Sequence, residues 1–241
     1  MITNSRKFLR LIAGCLILGA FALWLSRQIW PTAKPGTVRT VKEAIKEFSP
    51  TAGQRLRQRF DDARVTFPPP RLLILALKRE RRLEIYAPGD KGKWRLVHTY
   101  PILAASGQEG PKLQEGDRQV PEGFYRIELL NPNSRYHLSL RVNYPSPHDI
   151  QRALEEGRDP KNLGSDIMIH GKAVSAGCLA IGDSAIEELF LLCAKTGLDH
   201  IELVIAPCDL RMTTAHLTDA SPSWTTGLHE QIKERLVELV E

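Results

Sequence analysis

The sequence predicts an α+β fold, mainly β, built as an antiparallel β-rich sandwich or barrel with flanking helices. Three observations carry this. Short apolar or alternating segments recur between turn residues from Leu72 onward; five of them, from LLILAL to HLSLRVNY, succeed one another with no crossover helix; and helical spacing interrupts the pattern only later in the chain.

Each element has a local reason. LLILAL (72–77) is an apolar run that reads as a buried strand, and RLEIYAP (82–88) alternates. WRLVHTYPI (94–102) comes after a Gly-Asp-Lys-Gly turn, and GFYRIELL (123–130) and HLSLRVNY (137–144) complete the run of short strands. SPHDIQRALEEG (146–157) reads as a helix with Pro147 in its first turn and Gly157 past its end. DIMIHG (166–171) and CLAI (178–181) return to extended structure. Ser184-Ala185-Ile186-Glu187 then reads as a capping box for a helix on which Ile186, Leu189, Phe190 and Cys193 share a face. HIELVIAP (200–207) is the last strand, and residues 228–240 form an amphipathic tail helix.

Ahead of the strands, Val41, Ala44, Ile45 and Phe48 have helical spacing, Ser49-Pro50 reads as a cap and first helical residue, and Leu56, Phe60 and Ala63 continue the pattern toward Phe67-Pro68-Pro69-Pro70. The organisation expected is an N-terminal anchor or signal sequence (1–30), a basic linker and small helical neck (31–70), a catalytic-sized domain (71–208) and a C-terminal extension (209–241).

Charge is divided along the chain. Lys plus Arg against Asp plus Glu is 17 to 5 for residues 1–82, which leaves 33 − 17 = 16 to 28 − 5 = 23 for residues 83–241. The acidic remainder and the lack of any nucleic-acid-reading motif argue against DNA or RNA as a partner. Arg6, Lys7 and Arg10 precede sixteen residues without a charge, and Arg27 comes directly after them. As a helix that run covers about 24 Å, and snorkelling arginines with Trp24 and Trp30 at the interface extend it toward a membrane span. Residues 8–30 are therefore expected to anchor the protein in the inner membrane, with everything after Trp30 exported to the periplasm. A cleaved signal peptide is the alternative.

Cys15 falls in the expected anchor, which leaves Cys178, Cys193 and Cys208 for the exported domain. An odd number in an oxidising compartment leaves a thiol whose use must be explained. Cys193 repeats with the apolar face of its helix and reads as core. Cys208 comes after a strand and reads as an exposed thiol or a partner for Cys193. Cys178 stands at a Gly-Cys junction between two apparent strands, eight positions after His170. A thiol is mostly protonated at neutral pH, so a nucleophilic Cys178 needs a base, and His170 is the obvious one. Gly177 permits close approach or a positive φ, and the N–H groups of Gly177 and Cys178 are expected to be free to hold an oxyanion. Ser175 is close enough to bond the backbone or the substrate. On spacing alone a small buried structural cysteine remains the competing reading. No zinc signature occurs, and neither metal nor cofactor is expected.

MIHGKAVSAGCLAI (168–181) resembles the active-site segment of the L,D-transpeptidase catalytic-domain (YkuD-type) family, in which His-Gly precedes Ser-x-Gly-Cys. SGQEGPKLQEGDRQVPEGFYRI (106–127) is similar to that family's Gly-Asp…Pro-x-Gly-x-Tyr/Phe segment, and NPNSRYHLSLRVNYP (131–145) to the segment next in order in the YafK-like branch. The resemblance covers about residues 72–207 and implies a fold of the L,D-transpeptidase type. It implies Cys178 as nucleophile, His170 as base, Gly177 and Cys178 N–H as oxyanion site, Ser175 as the motif serine and the Gly171 carbonyl as the group orienting the imidazole. Lys112, Asp117 and Tyr125 are candidates for a substrate groove.

The activity implied is acyl transfer through a thioester on peptidoglycan stem peptides, at an amide of meso-diaminopimelate. Hydrolysis of such an amide, for example releasing a peptidoglycan-linked lipoprotein, is the alternative, and a non-catalytic wall-binding protein is a third reading. Ala176 and Ala180 depart from the Ser-His-Gly-Cys-x-Arg found in many members, which bears on donor and acceptor specificity.

Overall fold

The computed structural model describes residues 38–108, 110–218 and 221–239. The anchor expected over residues 8–30 lies outside them. Among the described residues, no helix is long and apolar enough to cross a membrane.

The fold is α+β with two five-stranded sheets. The first is formed by β1 (Leu72–Leu77), β2 (Arg82–Pro88), β3 (Trp94–Pro101), β5 (Gly123–Tyr125) and β10 (Ile201–Ala206), in the order β3-β2-β1-β10-β5. The second is formed by β4 (Ala104–Ala105), β6 (Ile127–Ser134), β7 (His137–Val142), β8 (Met168–His170) and β9 (Leu179–Ala180), in the order β4-β9-β8-β7-β6. The sheets are not purely antiparallel as expected: β1 runs parallel to β10, and β8 parallel to β9. Both exceptions pair strands separated by loops or helices rather than hairpins, a relation that local patterning does not encode.

Position explains LLILAL. β1 is central, and its alternate residues enter different cores: Leu72, Ile74 and Ala76 face the main core between the sheets, while Leu73, Leu75 and Leu77 face a second one. That second core is roofed by the tail helix α5 (Thr225–Val237) through Leu228, Ile232 and Leu236. Cys193 sits in the main core and Cys208 in the second, both fully buried, so the pairing and the exposure considered for Cys208 are both replaced by packing.

The helices α1 (Val41–Phe48) and α2 (Ala52–Asp62) supply Ala44, Phe48, Leu56 and Phe60 to the main core. They pack against α4 (Asp183–Thr196), where the buried carboxylate of Glu188 accepts from Arg55 Nε at 2.5 Å and Tyr100 Oη at 2.7 Å and lies 2.8 Å from Arg59 Nε. Thr40 caps α1 through a capping box with Glu43, but α2 begins after Thr51 rather than at Ser49-Pro50, because Ser49 ends α1. Pro147 stands in the first turn of α3 (Pro147–Glu155), as expected, and Ser146 supplies the cap.

Phe60 is fully buried, with its ring 5.1 Å from that of Phe67. Phe60→Ala is therefore expected to destabilise the whole unit by about 3–5 kcal/mol through lost burial and a cavity. Urea unfolding monitored by far-UV circular dichroism checks this: a single transition should move to lower urea. An unmoved main transition would mean that these helices are an appended neck.

Candidate active site

β8 ends in His170, and β7 flanks it on one side and β9 on the other, with Ser139 and Ala180 as its register partners. Cys178 is the residue just ahead of β9, so residues 171–178 form a short parallel crossover that returns the chain beside its own start. Hydrogen bonds hold this crossover closed: Ile181 N–H to His170 O at 2.9 Å, Gly182 N–H to Lys172 O at 3.1 Å, and Lys172 N–H to Asp183 Oδ1 at 2.8 Å. Asp183 also takes the Lys172 ammonium at 2.6 Å. This explains why α4 begins at Asp183 behind Gly182, with no side-chain cap at Ser184: the carboxylate at the helix start is committed to the loop.

Two glycines are required here. Gly177 has φ +104°, a conformation side chains rarely adopt. At Gly171 a Cβ would stand 2.5 Å from Tyr136 O and 2.6 Å from Asp183 Oδ1, so only glycine lets the hairpin and the helix start close on this point.

The imidazole of His170 is buried, and its Nδ1 lies 2.6 Å from the Gly171 carbonyl. A carbonyl only accepts, so Nδ1 carries the proton and Nε2 presents a lone pair. Tyr136 stacks on the same ring at 4.6 Å between centroids. The Cys178 thiol is half-buried and donates weakly to Asp166 O at 3.7 Å. Asp166 itself has φ +57°. Ser175 Oγ accepts from Cys178 N–H at 3.0 Å and donates to Cys178 O at 2.6 Å, tying the loop to itself.

Residues 71–203, which contain all of these groups, match the family model described as YkuD, the L,D-transpeptidase catalytic domain. The chain belongs to the YkuD L,D-transpeptidase catalytic-domain family. Over 165 residues it is 32% identical to the Escherichia coli (strain K12) protein named "Putative L,D-transpeptidase YafK", an alignment covering 66% of this chain and 63% of that one. The matched part thus spans less than two thirds of the length of that relative. Among solved structures, the chain is similar to the helical cell shape determining protein Pgp2 of Campylobacter jejuni, with 21% identity, TM-score 0.47, and coverage of 61% of this chain and 50% of that one. It is also similar to Bd1075 of Bdellovibrio bacteriovorus, with 20% identity, TM-score 0.41 and coverage of 70% and 55%.

Within this YkuD domain the two amides expected to form an oxyanion site are engaged rather than free, contrary to expectation. Gly177 N–H donates to Ser106 Oγ at 2.5 Å, and Cys178 N–H to Ser175 Oγ. The physical reason is that amides shielded from water are costly to leave unpaired, and two serine hydroxyls lie within reach. Ser106 in turn donates to Arg118 O at 2.8 Å.

Of the groove candidates, Lys112 and Asp117 form an ion pair at 2.6 Å, with Asp117 also accepting from Leu113, Gln114 and Gln119 N–H. Lys112 is close enough for its charge to favour the Cys178 thiolate. Tyr125 is a correction: it is buried in the main core, its hydroxyl bonded to Glu122 O and Asp149, because β5 turns that ring inward.

Electrostatically the pair is neutral. Burial pushes the His170 imidazole below the ordinary histidine value, and the Gly171 hydrogen bond offsets only part of this. Burial pushes the Cys178 thiol up, aided by the Asp166 charge and opposed by Met168 N–H and Lys112. Ser106, Tyr136 and Asp166 were not singled out from sequence. Ser106 and Tyr136 are far from the His-Gly…Gly-Cys segment along the chain, although both fall inside the two upstream segments that resemble the family; Asp166 lies only four positions before His170, but its role comes from its carbonyl, which residue type does not signal.

Proposed function

We propose that this protein is a cysteine-dependent acyl transferase of the cell envelope acting on peptidoglycan stem peptides at a meso-diaminopimelate amide. The observation that carries this reading is the His170 imidazole, clamped at Nδ1 by Gly171 O so that Nε2 is an acceptor, on the strand beside the one that Cys178 opens. Membership in the YkuD family supports the substrate class.

The thiol leaves Asp166 O and gives its proton to His170 Nε2 while sulfur bonds to the substrate carbonyl carbon. The carbonyl oxygen becomes an oxyanion. It takes the N–H groups of Gly177 and Cys178, displacing the hydroxyls of Ser106 and Ser175. The C–N bond then breaks, His170 returns the proton to the leaving amine, and a thioester remains on Cys178. An amine acceptor deprotonated by His170 completes a transpeptidation; water in the same position completes a hydrolysis. The Ala180 position beside His170 carries no guanidinium, so acceptor recognition falls to other groups.

The N-terminal residues 8–30 serve as an inner-membrane anchor that places the YkuD domain in the periplasm. Incubating the purified full chain with sacculi and resolving the muropeptides by mass spectrometry tests the reading. New links between diaminopimelate residues, or stem peptides carrying an added amine, are expected. Loss of a diaminopimelate-linked peptide or lipoprotein without new links assigns hydrolysis instead. An unchanged muropeptide profile would overturn both.

A further inference from the structure

We propose that Tyr136 is the positioning residue for the His170 imidazole, and that residues 39–48 hold its hairpin in place. The inference rests on the reading of His170 as the base. Tyr136 occupies the tip of the β6–β7 hairpin, between the paired residues Ser134 and His137. Its ring lies 28° from parallel on the imidazole. Tyr136 is 39% exposed and His170 2%, so the phenol ring is the outer layer over the imidazole. One hydrogen bond at Nδ1 fixes a single edge of the ring and leaves rotation about that bond open. A stacked ring removes the rotation, and the two contacts together leave Nε2 as the reactive edge. The same stack offers a π face to the imidazolium that forms during acyl transfer.

The hairpin tip is held mainly from the N-terminal side. Arg39 N–H donates to Asn133 Oδ1 at 2.8 Å, Asn133 Nδ2 donates to Arg39 O at 2.7 Å, and the Arg39 guanidinium donates to Pro132 O at 2.7 Å. Phe48 meets the His137 ring edge-to-face at 5.3 Å, and His137 Nε2 lies 3.0 Å from Glu187 of α4. Residues 39–48, outside the matched family region, thus reach His170 through one turn of chain.

The charged groups on the surrounding elements are matched among themselves: Asp183 with Lys172, Glu187 with His137 and Arg55, and Asp166 with Arg141. The Cys178 thiol, on the loop that returns beside His170, is held protonated by burial. Exclusion of water therefore sets the protonation of His170, and Tyr136 supplies part of it. Tyr136→Ala opens that face to water; Tyr136→Phe does not.

The test is an NMR titration of the His170 ring in the full chain, with the resonance assigned by its absence in His170→Ala, alongside muropeptide turnover against pH. In Tyr136→Ala the His170 titration should move up toward the ordinary histidine value, kcat should fall about tenfold from lost orientation, and the acid limb of the rate profile should move to higher pH. Tyr136→Phe should match wild type in all three. Asn133→Ala, which loosens the tip without touching the stack, should move the titration the same way by less. An identical titration in wild type and Tyr136→Ala overturns the proposal, as does a Tyr136→Phe that behaves like the alanine variant; an unmoved Asn133→Ala overturns the part assigned to Arg39. The titration reads the hold on the ring whatever the substrate. A shifted titration with wild-type turnover would leave the stack standing and sink His170 as base.

Discussion

Cys178→Ala is expected to abolish muropeptide turnover, by more than about a thousandfold, while unfolding at nearly the wild-type urea concentration. The thiol is half-buried, and its contact to Asp166 O at 3.7 Å is weak, so its removal costs little stability. The proposed acyl transfer, by contrast, is built on this thiol as its nucleophile. Cys193→Ala should show the reverse. That side chain is fully buried in the main core on α4, and its truncation leaves a small cavity that lowers stability with turnover retained. Mass-spectrometric turnover assays and urea midpoints on both variants separate the two behaviours, and turnover by Cys178→Ala equal to wild type would remove the nucleophile from the mechanism.

Local chemistry was readable from sequence wherever a residue and its partner lie close along the chain. Pro147 marks the first turn of α3, and the apolar run at 72–77 reads as a buried strand and is one. The parallel partner of β1 is β10, more than a hundred residues downstream, and no periodicity within either strand specifies that pairing. The Ser184 capping box failed for a related reason. Asp183 is drawn into the Lys172 loop, and tertiary demand moved the helix start.

The site divides in the same way. His170, Gly171, Ser175, Gly177 and Cys178 lie on one segment, and their hydrogen bonds join residues a few positions apart. The groups that modulate them arrive from elsewhere: Ser106 onto Gly177, Tyr136 onto His170, Lys112 near Cys178. The expectation of free oxyanion amides erred because it considered the Gly-Cys turn without its neighbours, and a hydroxyl from residue 106 fills one donor. Tyr125 was expected in a groove because it stands in a segment resembling the family, but the alternation along β5 turns it into the core.

His170→Ala should slow thioester formation by about 10²–10⁴-fold near neutral pH, the usual contribution of a positioned base. Two displaced titrations set the sign of the pH effect. His170 is held below the ordinary histidine value of about 6.5 and Cys178 above the ordinary thiol value of about 8.5. Wild type therefore keeps a neutral base beside a protonated thiol across the whole interval between them, and its rate should rise only on the acid side, as His170 loses its proton. Without the imidazole, reaction waits for thiolate formed by solvent, so the variant's rate should climb tenfold per pH unit through that same interval and approach wild type only above the raised thiol value. Iodoacetamide alkylation of Cys178 read by intact-mass spectrometry, from pH 5 to 10, reports this directly. His148→Ala, at an exposed helix start, should leave the profile unchanged. Alkylation rates in His170→Ala that match wild type at every pH would show that the imidazole never takes the thiol proton.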